Sequence, residues 1–113
     1  MVMKANNLNK SDLESIKELK KEVLKEFPDS EIILYGSKSK GEDSEYSDID
    51  ILVLINESVT TKIEERIFGI AYDIELKNDV VFGIVVETKN FWESALSKAM
   101  PFHWNVEREG VAM

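Results

Sequence analysis

Two aspartates at the start of an apolar segment are the residues of this chain best suited to chemistry. Asp48 and Asp50 flank Ile49, and apolar residues then continue without a break to Ile55. Because side chains alternate along a β-strand, the two carboxylates are expected to point to the same face. Like charges at the mouth of an apolar strand repel each other and lose hydration. A divalent cation relieves both costs, and oxygen ligands favour Mg²⁺ or Mn²⁺, so the pair is predicted to bind such a metal.

A second motif, Gly36-Ser37, follows the short apolar segment that ends at Tyr35. Glycine allows a tight turn and, having no Cβ, a close approach by a triphosphate. Ser37 adds a hydroxyl and a backbone N–H that can bind anionic oxygen. Lys38 and Lys40 could place positive charge beside the phosphates. The segment therefore predicts a phosphate-binding turn.

Together the two motifs resemble the signature of the minimal nucleotidyltransferases of the DNA polymerase β superfamily. That signature is Gly-Ser, ten residues and Asp-x-Asp, and Gly36-Ser37 and Asp48-Ile49-Asp50 match it without a gap. The common family form has Arg before a second Gly, where this chain has Lys40. Lysine keeps the positive charge but cannot donate the two parallel hydrogen bonds of an arginine guanidinium. The C-terminal segment 105–111 also resembles that of the family.

The resemblance implies a fold, an activity and a partner. The fold is the polymerase β palm-like nucleotidyltransferase fold, an α+β two-layer arrangement of a small mixed sheet with helices packed on it. The activity is transfer of NMP, with AMP from ATP expected first, to a hydroxyl acceptor. Asp48 and Asp50 would be the catalytic, metal-binding carboxylates, and Gly36, Ser37 and Lys40 would bind the nucleotide. Members of this class can act as antitoxins by adenylylating a tyrosine of a HEPN toxin, so a HEPN protein is the implied partner.

A third carboxylate is the point at which the chain departs from the family pattern. The superfamily places an acid on the strand after the second helix, and alignment through Thr88-Lys89 puts Val81 there. Valine cannot bind a metal. Asp79 is the candidate third ligand if the register is shifted by two residues; its alternative role is an acid in the turn that opens the strand. Because the third carboxylate is not assured, a second interpretation stays open: an antitoxin with weakened catalytic activity that acts by binding its toxin.

Hydrophobic periodicity and capping signals predict the order α-β-loop-β-α-β-α within one domain, residues 1–113. The first helix is predicted to start at an N-cap Ser11, with Glu14 completing a capping box, and to end before Pro28. The predicted strands are Glu31–Tyr35, Ile49–Ile55 and Val80–Glu87. The other predicted helices are Thr61 to about Lys77 and Asn90 to about Lys98, and an irregular tail is predicted from Pro101.

Composition restricts the partners and the location that we expect. The 113 residues carry a net charge of −8 with dispersed lysines, which disfavours direct binding to nucleic acid. There is no cysteine and no apolar run long enough for a membrane span, so a soluble cytoplasmic protein is expected. A chain of this length predicts one domain, with the acceptor held by another chain. The aromatic residues Phe91, Trp92, Phe102 and Trp104 exceed the needs of a small core, and a homodimer is therefore also expected.

Overall fold

The computed structural model describes residues 8–40 and 48–113, and the predicted loop residues 41–47 lie outside the described part. The helices are α1 Lys10–Glu26, α2 Ser37–Lys40, α3 Thr61–Asn78, α4 Lys89–Trp92, α5 Ala95–Lys98 and α6 Pro101–Glu109. The strands are β1 Glu31–Tyr35, β2 Ile49–Ile55, β3 Phe82–Thr88 and β4 Val111–Ala112.

The four strands form one mixed sheet in the order β3-β2-β1-β4. Strand β1 pairs antiparallel with both β2 and β4, while β2 and β3 are parallel and are joined by α3. As a result, the end of β1 and the beginnings of β2 and β3 lie at the same edge of the sheet. The register places Tyr35 opposite Asp50 on one side and Gly83 opposite Asp50 on the other.

One face of the sheet packs against α1 and α3. Alternate residues of β2, from Ile49 to Ile55, point to this face and are buried. Both helices contribute apolar side chains at helical spacing, which is why they pack here rather than remain in solvent. The helix residues of this first core are Ile16, Leu19, Val23, Ile67, Ile70, Ala71 and Ile74.

The opposite face carries a smaller core and also the side chain of Asp50. Leu52 and Leu54 share this face with Asp50 because strand residues alternate, and they pack with Trp92 and Val106. Helices α4 and α6 supply these two partners. The sheet therefore has helices on both faces, and Asp50 lies beyond the apolar part of the second core.

The predicted mixed sheet with packed helices is confirmed, but several boundaries were wrong. Helix α1 begins at Lys10, two residues earlier than an N-cap at Ser11 implied, because the side chain of Asn9 accepts a hydrogen bond from the Asp12 N–H. Likewise, Thr60 rather than Thr61 caps α3. As expected, a side-chain oxygen caps each of these helices. The capping residue is a neighbour of the predicted one, because adjacent polar residues are equally suitable N-caps by residue type.

The C-terminal region differs most from the prediction. The predicted helix 90–98 is divided into α4 and α5, because Ser94 caps the second segment by accepting the Ser97 N–H. The predicted irregular tail is instead the helix α6, which starts at Pro101. Proline is well suited to the first helical turn, because an N–H there would have no intrahelical partner. Pro101 therefore marks the start of a helix and not the end of one.

The two tryptophans have opposite environments. Trp92 is 3% exposed and packs edge-on against Phe102, with ring centroids 5.9 Å apart, whereas Trp104 is 66% exposed. Part of the aromatic excess therefore belongs to the second core, and the homodimer stays a prediction. Within residues 8–40 and 48–113, no helix is long and apolar enough to cross a membrane.

Substitution of the two tryptophans should separate their roles. Trp92→Ala should lower the free energy of unfolding by about 3–5 kcal/mol, because it leaves a cavity between the sheet and α6. Trp104→Ala should cost about 1 kcal/mol or less, since its exposed ring loses mainly the hydrogen bond from Nε1 to the Lys98 carbonyl. Urea unfolding followed by circular dichroism measures both, and equal losses would contradict this assignment of the second core.

Candidate active site

Asp50 lies at the centre of the candidate site, in the second position of β2. Its carboxylate is enclosed by two glycines: a Cβ added to Gly36 would lie 2.5 Å from Asp50 Oδ2, and one added to Gly83 would lie 2.8 Å from Oδ1. Both distances are shorter than nonbonded contacts allow. The carboxylate therefore occupies space that is available only because Gly36, just after β1, and Gly83, in β3, carry no Cβ.

The turn at Gly36 is fixed by its conformation and by its hydrogen bonds. Gly36 has a φ of 78°, in the left-handed region that favours glycine. Its N–H donates to Glu109 Oε1 at 3.1 Å, and its carbonyl accepts from the Ser39 hydroxyl at 2.7 Å. The last residue of α6 and the short helix α2 thus hold the turn from its two sides.

Negative charge dominates the described side chains of the site. The pKa of Asp50 is raised, first by burial and then by the charges of Asp48 and Glu109. Burial, with a further contribution from Asp50, also raises the pKa of Tyr35 to about 12, so its hydroxyl remains protonated at neutral pH. The nearby Lys38 is buried, with its side chain 1% exposed and its Nζ 2.6 Å from Asp12 Oδ2.

These carboxylates have the donor chemistry that Mg²⁺ or Mn²⁺ requires. Asp48 is exposed beside the partly buried Asp50, and a divalent cation would relieve the repulsion that raises the Asp50 pKa. In the part of the chain that the structure describes, no three His, Cys, Asp or Glu side chains are grouped closely enough to hold a metal ion together. That Asp48 and Asp50 bind a metal ion stays a prediction.

Strand β3 provides no acid beside this pair in its first half. Gly83 is opposite Asp50, and the next residue on that face, Val85, packs in the second core. Val81, at the aligned position of the family acid, is 56% exposed, and its carbonyl accepts the Ile49 N–H at 2.8 Å. Asp79 is an exposed C-cap of α3 with a φ of 55°, in the turn that precedes the strand. Its role as a third ligand stays a prediction.

The structure brings the two sequence motifs into contact. Gly36 and Asp50 touch across the β1–β2 pair, and Asp48 precedes the same strand. Ser37 and Lys40 are the first and last residues of α2, directly after the glycine turn, and only their backbone positions are described.

Sequence reasoning missed two charged residues that act on this turn, Glu109 and Asp12. Both are far from the motifs in sequence, and each reaches the turn through helix packing. Glu109 stands in the tail segment that resembled the family, but that resemblance carried no role for it. No local pattern distinguishes either residue from the many exposed acids of the chain.

Three comparisons with known proteins agree with this geometry. Residues 16–105 match the family model described as "Nucleotidyltransferase domain". A Methanocaldococcus jannaschii protein named "Putative protein adenylyltransferase" is 33% identical over 88 residues, which cover 76% of this chain and 89% of that protein. A crystal structure of a toxin-antitoxin with AMP-PNP is similar to 83% of this chain and 68% of its own, with a TM-score of 0.55 and 21% identity.

The four-stranded mixed sheet with its packed helices and the match to the family model define a nucleotidyltransferase domain of the polymerase β type. The match to the family model spans most of the chain, so this protein belongs to the nucleotidyltransferase domain family. The solved structure supports the fold, and its identity of 21% supports nothing finer.

Glycine substitutions should test whether the enclosure of Asp50 matters. Gly83→Ala should leave the fold intact, because the atom it meets is the mobile end of a side chain, but it should displace the carboxylate. We expect Mn²⁺ affinity, measured by calorimetry, to fall by about 10-fold. Gly69→Ala is the matched control: nothing lies within 4 Å of its added Cβ. It should keep the affinity and stabilise α3 by about 0.5–1 kcal/mol. Unchanged affinity in Gly83→Ala would contradict the assignment.

Neutralising Asp50 should stabilise the metal-free protein. Because the folded-state pKa of Asp50 is raised, the folded state binds the proton more tightly, and stability falls as pH rises through that pKa. Asp50→Asn should thus raise the Tm at pH 7 by roughly 2–4 °C, a gain that disappears below the ordinary Asp pKa. Added Mg²⁺ should raise the Tm of the wild type but not of the variant. Asp79→Asn serves as the comparison, and loss of the Mg²⁺ effect there would identify Asp79 as a ligand.

Proposed function

We propose that this protein transfers AMP from ATP to a hydroxyl group of a partner protein, with Mg²⁺ or Mn²⁺ bound by Asp48 and Asp50. The observation that carries the proposal is the Asp50 carboxylate held against the Gly36 turn, with Asp48 beside it. This arrangement puts a metal-binding pair next to a backbone turn that a triphosphate can approach closely.

The reaction replaces a phosphoanhydride bond of ATP by a phosphodiester bond to the acceptor, whose hydroxyl proton passes to solvent. The acceptor oxygen attacks the α-phosphorus of ATP, the bond from that phosphorus to the bridging oxygen of the β-phosphate breaks, and pyrophosphate leaves with that electron pair. The acceptor hydroxyl loses its proton. The metal, when bound, stabilises the charge on the phosphate oxygens. Gly36 and Gly83 both leave space for the Asp50 carboxylate, and Asp48 and Asp50 would hold the ion.

The names of the similar proteins support a protein as the acceptor. The M. jannaschii relative is named for adenylylation of protein, and the similar solved structure is a toxin-antitoxin with AMP-PNP. We propose that the acceptor is a tyrosine of a HEPN toxin and that this chain is its antitoxin. The net charge of −8 suits a basic partner surface.

A second candidate function is neutralisation of the toxin by binding alone. It is favoured by the start of β3, where Gly83 and Val85 occupy the face that carries Asp50 and the residue before the strand is Val81. Without a carboxylate there to accept the hydroxyl proton, turnover would be slow even if nucleotide binds.

Transfer of label from α-³²P-ATP to purified candidate HEPN proteins distinguishes the two functions. The transferase should label a partner tyrosine, identified by mass spectrometry, and should release pyrophosphate in equal amount. The Asp48→Asn/Asp50→Asn variant should lose at least about 100-fold in rate, since a metal supplies several kcal/mol of charge stabilisation. Asp29→Asn, an exposed acid before β1, should retain full activity. Tight binding of a partner without any label would support the second function and overturn the first.

A further inference from the structure

Lys38 makes a buried ion pair next to the glycine turn. It lies in α2, two residues after Gly36, and its side chain is 1% exposed. The Nζ atom is 2.6 Å from Oδ2 of Asp12, which is itself 5% exposed and belongs to α1. The pair therefore ties the segment after the turn to a helix that packs on the opposite face of the sheet from Asp50.

Asp12 is held in place before it meets Lys38. Its backbone N–H donates to Asn9 Oδ1 at 2.8 Å, and Asn9 Nδ2 donates to Asp12 Oδ2 at 3.1 Å. These bonds form the N-terminal cap of α1, whose apolar face is anchored in the first core. The carboxylate that Lys38 contacts thus has a fixed position relative to the sheet.

Stability alone is a weak reason for this arrangement. Two buried charges lose their hydration, and well-packed apolar residues of similar size are often at least as stabilising. An ion pair differs from an apolar contact in being directional, because it is favourable only when the ammonium and the carboxylate meet. The pair can therefore fix where α2 lies and, through the Ser39 bonds to the Gly36 carbonyl, the conformation of the turn.

We propose that Asp12 is a positioning residue of the nucleotide site: through its buried ion pair with Lys38 it holds α2, and with it the Gly36 turn, in the arrangement that accepts the triphosphate. The proposal rests on the nucleotide binding proposed above. Lys38 is accordingly a structural cation of the turn rather than a phosphate ligand.

The decisive comparison is between single and double variants. Asp12→Asn and Lys38→Met each leave one buried charge and should lower both the Tm and the affinity for ATP with Mg²⁺. In the double variant Asp12→Asn/Lys38→Met both charges are gone, so we expect the Tm to recover by more than half of the loss. The ATP affinity should stay reduced by about 10- to 100-fold, because the turn is no longer held. A role in stability alone would instead restore both quantities together.

Hydrogen exchange supplies a readout that does not depend on nucleotide. Amides of residues 36–40 should exchange at least about 10-fold faster in the double variant, while those of β2 should not change. The matched control is the double variant Glu22→Gln/Lys25→Met, which removes an exposed ion pair of the same helix, with Nζ and Oε2 2.8 Å apart. It should leave the exchange of residues 36–40 and the ATP affinity unchanged.

The outcomes separate this proposal from the proposed function. If the wild type binds no ATP, the proposed function fails, and accelerated exchange still shows that the pair holds the turn. Unchanged exchange in the double variant overturns the proposal whether or not ATP binds. Accelerated exchange with wild-type ATP affinity also overturns it, because the position of α2 would then have no consequence for the nucleotide.

Discussion

The contact between the Asp50 carboxylate and two glycines is the constraint on which the site depends. The carboxylate fits at the start of this central strand because Gly83 in β3 and Gly36, just after β1, carry no Cβ that would collide with it. The space gained is small and the nearby charges are acidic, which explains the raised pKa of Asp50. The fold thus keeps the Asp50 carboxylate partly buried and close to other negative charges, and a bound cation would offset both effects.

The sheet topology explains why these residues meet. An antiparallel β1–β2 pair brings the end of one strand to the start of the next, and the α3 connection brings the start of β3 to the same edge. Helices on both faces then act on the turn between β1 and α2: Asp12 reaches it from α1 and Glu109 from α6. The two apolar cores fix the positions of those helices, and the packing therefore determines where the carboxylates of Asp12 and Glu109 lie.

The features that could be predicted from sequence are those encoded locally. The spacing of Gly36-Ser37 and Asp48-x-Asp50 indicated the family. Apolar runs located β1, β2 and β3 to within about two residues, whereas β4 lies in the predicted irregular tail. Pro101 was misread because the same residue can end one helix or start another, and only packing decides between them. Asp12 and Glu109 could not be predicted, since their roles arise from contacts between residues distant in the chain.

The Glu109 contact also has a consequence for the order in which the molecule can mature. The hydrogen bond to Gly36 joins residues 73 positions apart, and β4, which pairs with β1, follows directly after α6. Such long-range contacts form late, after the loop between them has closed. During synthesis the glycine turn and the aspartates leave the ribosome well before the residue that fastens the turn. The emerging chain therefore passes through a stage in which β1, β2 and β3 can pair while the turn still lacks its bond to Glu109.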